Sequence, residues 1–192
     1  LYIADGHHRA ASASRVQKIR QEGNPHHTGD ESYNYFLAVI FPDDEMQILN
    51  YNRVVKDLNG LSEEEFLKAI ESNFSLTPNS LPLNPLKANT FSMFLNERWY
   101  QLETKDHVQS DDLVKGLEAS ILQNNLFAPI LNIDDPRTNK RIDFVGGIRG
   151  MKELERRCQT DCAVAFALPS VTIEQLLSVA DSDDVMPPKS TW

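Results

Sequence analysis

The 192-residue sequence is poor in cysteine: Cys158 and Cys162 are the only two, too few for a disulfide framework, and they fit a reducing compartment. It also lacks a basic excess, with 19 Lys and Arg against 28 Asp and Glu and a formal net charge of -9. Nucleic-acid binding rests on a basic face that neutralises phosphates, so this balance argues against such a partner. No apolar run approaches the ~20 residues that a membrane-spanning helix needs, and no charged segment followed by an apolar one opens the chain. Neither membrane insertion nor export is expected, and the predicted location is cytoplasmic. Internal repeats and low-complexity tracts are absent. The first residue is Leu rather than Met, and the last, Trp192, carries no terminating signal. The expectation is one domain, 1–192, forming the C-terminal part of a longer chain. At 41% hydrophobic it can bury one good core.

The most informative stretch is the opening, Leu1-Tyr2-Ile3-Ala4-Asp5-Gly6-His7-His8-Arg9-Ala10-Ala11-Ser12, in which apolar residues hand over through Asp-Gly to a helical pattern. A strand-to-helix junction of this kind suits an anion. Glycine permits positive φ or a close backbone approach, the free amides of the first turn point outward, and the helix dipole favours a negative charge by roughly 0.3–1 kcal/mol. Arg9 would add a bidentate fork.

The helical pattern runs from His7 to Glu22, with Val16 and Ile19 on its expected apolar side, and Gly23-Asn24-Pro25 stops it. His26-His27 falls in a polar loop and is expected to be solvated. Residues 33–41 are apolar on both alternating faces and predict a central strand, with 46–55 as its antiparallel neighbour. Ser62 followed by Glu65 is a capping box opening a helix to about residue 73. Pro78, Pro82 and Pro85 bar 77–89 from regular helix or central strand. Alternating Phe91, Met93 and Leu95, the turn Asn96-Glu97 and the return at Trp99 predict a hairpin. A helix over 117–127 ends at Pro129. From residue 141 the order becomes strand, Gly146-Gly147, helix, strand, helix, and this alternation asks for parallel strands with helical crossovers. Thr172 and Gln175 form another capping box. The fold class is therefore α/β (α+β), a mixed, largely antiparallel sheet flanked by helices, with a βαβα segment near the C-terminus.

Four blocks in order, Ile3-Ala4-Asp5-Gly6-His7-His8-Arg9, residues 51–58 (Tyr-Asn-Arg-Val-Val-Lys-Asp-Leu), residues 141–147 (Arg-Ile-Asp-Phe-Val-Gly-Gly) and residues 186–191 (Met-Pro-Pro-Lys-Ser-Thr), resemble the bacterial family called domain of unknown function 1015. The resemblance covers essentially the whole chain and brings no established activity with it. It implies an upstream half, since members of that family carry the Asp-Gly-His-His-Arg box near mid-chain. More distantly, Gly6-x-x-Arg9-x-x-Ser12 is similar to the Gly-x-x-Arg-x-x-Ala/Ser box that holds nucleotide phosphates in partition protein B, sulfiredoxin and free serine kinases. Position 12 is Ser where Ala is commoner.

The candidate phosphate-binding residues are thus Gly6, Arg9 and Ser12. Asp5, His7 and His8 are the candidate catalytic residues: an imidazole with an ordinary pKa near ~6.5 suits proton transfer near neutrality, and Asp5 is close enough in sequence to orient it. The competing reading makes one histidine a helix-start hydrogen-bonder and leaves the other in solvent. Metal binding by the adjacent pair ranks lowest, because neighbours on a helix point about 100° apart. Gly146, Gly147 and Arg149 repeat the logic of the opening, against the alternative of a tight turn in which glycines merely fit. If both strands end at one sheet edge, Arg9 and Arg149 line one pocket, with Asn52, Arg53 and Lys189 as further anion contacts. Cys158 and Cys162 flank a helix end with no histidine beside them, and are read as buried or incidental thiols.

Two functions fit. The first is a nucleotide-dependent phosphotransferase or phosphohydrolase, with a nucleotide and Mg²⁺ as cofactor. The second is a non-catalytic module that senses a phosphorylated metabolite. Phosphoryl transfer normally needs a further carboxylate as base or Mg²⁺ ligand, which in relatives of the phosphate box lies upstream of it. The expected partners are a phosphorylated small molecule or nucleotide, together with the chain's own missing N-terminal half or a second copy.

Overall fold

The computed structural model describes residues 1–82, 85 and 87–192. The end of the proline-rich stretch, at 83, 84 and 86, lies outside the described residues. Two compact units make up the chain, Leu1–Met46 and Gln47–Trp192.

In the first unit, α1 spans His7–Glu22 as its sequence pattern predicts, and Gly23 closes it by donating its backbone N–H to Ile19 O. The helix buries no side chain, so it is not the amphipathic core helix expected: Val16 and Ile19 stay exposed. Order here comes from polar groups. Glu31 accepts from the Thr28 and Gly29 amides, Asn34 Nδ2 donates to Gly29 O at 2.8 Å, and Asn24 Nδ2 donates to Tyr33 Oη at 3.1 Å.

Residues 33–41 do not form the expected central strand. Ser32–Asn34 is a single 3₁₀ turn, and 35–41 runs on without strand pairing, with Leu37 93% and Val39 72% exposed. An apolar pattern on both faces states what a segment needs to bury, and the described residues supply no neighbour that meets the need. Leu1–Ile3 likewise forms no strand.

The second unit is a six-stranded sheet in the order β2-β4-β3-β6-β1-β5, every neighbouring pair antiparallel. Its strands are β1 (Tyr51–Val55), β2 (Phe74–Asn79), β3 (Thr90–Leu95), β4 (Arg98–Thr104), β5 (Ile142–Gly146) and β6 (Val164–Ala167). Hence β1 is shorter than predicted and pairs with β5 and β6 rather than with 33–41. The predicted crossover exists, β5 then α4 (Gly150–Thr160) then β6, but β1 lies between the two strands. They run in the same direction without pairing to each other, a split β-α-β unit.

Local chemistry explains the other elements. Ser62 and Glu65 form the reciprocal capping box that starts α2 (Glu63–Ile70), and Thr172 with Gln175 starts α5 (Ile173–Asp181) in the same way. Asn96 and Glu97, both at positive φ, turn β3 into β4. Pro78 is tolerated because β2 is an edge strand. The helix predicted over 117–127 is α3 (Glu118–Leu122), widened over Gln123–Phe127 into a π turn.

Two hydrophobic layers sandwich the sheet. Phe66 and Ile70 of α2 and Ile121 and Leu122 of α3 pack with Val55, Phe91, Met93 and Phe166 on one face. On the other, Leu154 of α4 packs with Val54, Phe94, Trp99 and Val145. Among the described residues no helix is long and apolar enough to cross a membrane.

Candidate functional site

The opening box lies entirely in the first unit. Gly6 is the N-cap residue of α1, with φ 83° and ψ 25°, a left-handed conformation that costs other residues roughly 1–2 kcal/mol. No side chain caps the helix, and its first internal bond is Ala10 N–H to Gly6 O at 2.9 Å, so the amides of His7, His8 and Arg9 lie ahead of the ladder. Arg9 folds back: its Nη2 donates to Asp5 Oδ2 at 3.2 Å, and a Cβ built on Gly6 would meet the same guanidinium at 3.0 Å. The pair is exposed to solvent. Asp5 is thus partnered by Arg9 rather than by a histidine, while His7, His8 and Ser12 are exposed. His27, expected in solvent, is half-buried: Nδ1 lies 3.0 Å from Glu31 and 2.9 Å from Tyr33 Oη.

The second glycine junction and the other candidates of the second unit come together around the start of β1. Tyr51 pairs with Gly146 and Arg53 with Phe144. A Cβ on Gly146 would lie 2.6 Å from Trp192 Nε1, and one on Gly147 would collide with Asn50 Oδ1 and sit 2.8 Å from Asn50 O, so close packing accounts for both glycines. The Gly147 amide already donates to Asn50 O at 2.8 Å. Arg149 is exposed and lies 3.7 Å from Glu153. Asn52 is buried and satisfied, accepting from Asn50 Nδ2 and the Leu168 amide. Lys189 places its Nζ over the Tyr51 ring and gives its carbonyl to Arg53.

Arg53 is unlike the other described arginines. It is 4% exposed, bonds to the carbonyls of Tyr51 and Lys189, and lies 5.6 Å from the Phe144 ring centroid. Among the described residues no carboxylate offsets it. Burial draws its pKa down to about 10, which leaves it cationic at neutral pH. It lines a cavity of about 340 Å³ with Ala119, Gln123, Phe127, Ile142, Asp134, Asp135, Arg137 and three prolines. Sequence reading named Arg53 as an extra anion contact but missed these companions. The one legible signal was a charge beside Val54 and Val55, two positions before Val55 on the same face.

Burial pushes the Cys158 thiol up to about 12 and raises Cys162 as well, so neither is an activated nucleophile. Among the described residues no three His, Cys, Asp or Glu side chains converge as a metal site.

The fold matches solved structures titled free serine kinase. A point mutant of that kinase in complex with AMP is 13% identical with a TM-score of 0.52, the same mutant with ADP 14% and 0.53, and a second mutant with AMP 16% and 0.50. Each match covers 99% of this chain, which spans 66% of those chains. At such identities the likeness shows a shared fold. No curated protein matches the chain in sequence. The chain belongs to the family described as "Protein of unknown function (DUF1015)", which matches residues 1–123.

Proposed function

We propose that this chain binds a nucleotide or other phosphorylated small molecule at its opening box and acts as a phosphotransferase or phosphohydrolase. The observation that carries the reading is the uncapped start of α1, where left-handed Gly6 leaves room for the folded-back Arg9 guanidinium. Phosphate oxygens would take the amides of residues 6–9, with Arg9 exchanging Asp5 for the anion and Ser12 adding a hydroxyl. Asp5, released from that exchange, becomes the carboxylate available to a histidine or to Mg²⁺, which is held mainly by the nucleotide's own phosphates. His7 or His8, both exposed, takes the proton. The complexes of the free serine kinase neighbours with AMP and ADP support the nucleotide class. Arg149, exposed beside Gly146 and Gly147, is the group of the second glycine junction that remains available to an anion, since the Gly147 amide already donates to Asn50 O.

The pairing of Asp5 with Arg9 favours the second reading, a binding module with no base positioned before its ligand arrives. Adding ADP to isotope-labelled protein tests the binding claim: the amide resonances of residues 6–9 should move and saturate. Phosphate release or transfer from ATP then separates enzyme from sensor.

The exposed apolar segment 35–41 supports a protein partner as well. We infer that it accepts a strand, from a second copy or from a further segment of the same polypeptide.

A further inference from the structure

A buried cation without a counter-charge is costly unless something offsets it, since desolvation removes the water that would otherwise stabilise it. Arg53 is such a cation. Its two hydrogen bonds go to backbone carbonyls, and the Phe144 ring supplies only a quadrupole. Two of its five N–H groups are used in those bonds, so three remain. The other charges on the cavity wall do not neutralise it. Arg137 and Asp135 neutralise each other through a two-pronged pair, with Nε and Nη2 both at 2.9 Å from the carboxylate. That leaves Arg53 buried and Asp134 exposed, one positive and one negative group around about 340 Å³ whose remaining wall is Ala119, Phe127, Ile142, prolines and Gln123, the Nε2 of which donates to the Ile133 and Asp134 carbonyls. A cavity of this size is in the range that holds small molecules.

We propose that this cavity is a binding site for a small organic acid, whose carboxylate pairs with Arg53 and whose outer end carries a hydroxyl or ammonium donor for Asp134. A carboxylate monoanion can accept from the N–H groups that remain on the guanidinium and matches its single charge. A phosphate dianion would overcompensate Arg53 and face the carboxylate of Asp134, unpaired among the described residues. The site lies wholly in the second unit and does not depend on the phosphate reading of the opening box.

The test titrates the whole chain with acetate, glycolate, glycine and inorganic phosphate by calorimetry, and follows the Arg53 Nε–H and Phe144 amide resonances of the unsubstituted protein. Glycolate or glycine should saturate, bind more tightly than acetate, and move Arg53 and Phe144 while Arg9 stays still. Arg53→Gln should weaken binding by about tenfold or more, Asp134→Asn by a smaller factor, and Arg9→Ala not at all. If Arg53→Gln does not fold, the resonances of the unsubstituted chain decide. No saturable carboxylate binding, shifts that bypass Arg53, or phosphate moving the Arg53 Nε–H resonance at lower concentration than any carboxylate would overturn the proposal; phosphate that moves only the amides of residues 6–9 reports on the opening box.

Discussion

The Arg9 guanidinium lies against Gly6, so that a Cβ at position 6 would meet its Nη2 at 3.0 Å, while the same nitrogen holds Asp5 at 3.2 Å. Both partners of the ion pair are exposed, and an exposed pair of this kind contributes little stability, about 0–1 kcal/mol. Exchanging Asp5 for a phosphate therefore costs little, which is what a site that binds and releases an anion requires.

Glu31 provides a pH test of the first unit. Its carboxylate accepts the amides of Thr28 and Gly29, and these bonds, that of Thr28 foremost, hold its pKa at about 2, against an ordinary 4.5. The folded value is depressed, so the stabilisation is complete above the ordinary value and is lost as pH falls through 2. Carboxyl resonances followed by NMR should titrate near 2, together with the Thr28 and Gly29 amides. A midpoint near 4.5 would show that the loop is not held as described.

Gly147→Ala should destabilise the second unit by about 1–3 kcal/mol, because the new methyl meets both the side chain and the carbonyl of Asn50. The side chain can rotate away, but the carbonyl, 2.8 Å from the new Cβ, accepts the Gly147 amide and is fixed. Denaturant unfolding measures this. An unchanged midpoint would mean that the junction is looser than its packing indicates.

Sedimentation tests the partner surface. With Leu37 and Val39 exposed on an unpaired extended segment, the chain should associate as its concentration rises, and the double substitution Leu37→Lys and Val39→Lys should leave it monomeric. A monomeric unsubstituted chain with a single cooperative melt would contradict the inference.

Features set by nearby residues were legible in the sequence. The bounds of α1, both capping boxes and the Asn96-Glu97 hairpin depend on chemistry within a few positions, and they read correctly. Pairing between distant segments was not. Nothing in residues 141–168 announces that β1, far earlier in the chain, inserts between β5 and β6, and the dual apolar face of 33–41 could not say that no strand would meet it. Arg53 was visible as a cation, but its cavity is assembled from α3, the 134–137 turn and Pro187-Pro188, which only the fold brings together.

The most direct test of the opening box is calorimetric titration of the whole chain with ADP, unsubstituted and as Arg9→Ala. Loss of the guanidinium should weaken ADP binding by about tenfold or more, the worth of a charge-assisted bond to phosphate, while the fold is retained because the Asp5 pair contributes little to it. Equal affinity of the two proteins for ADP would contradict the placement of the phosphate site at Gly6 and Arg9.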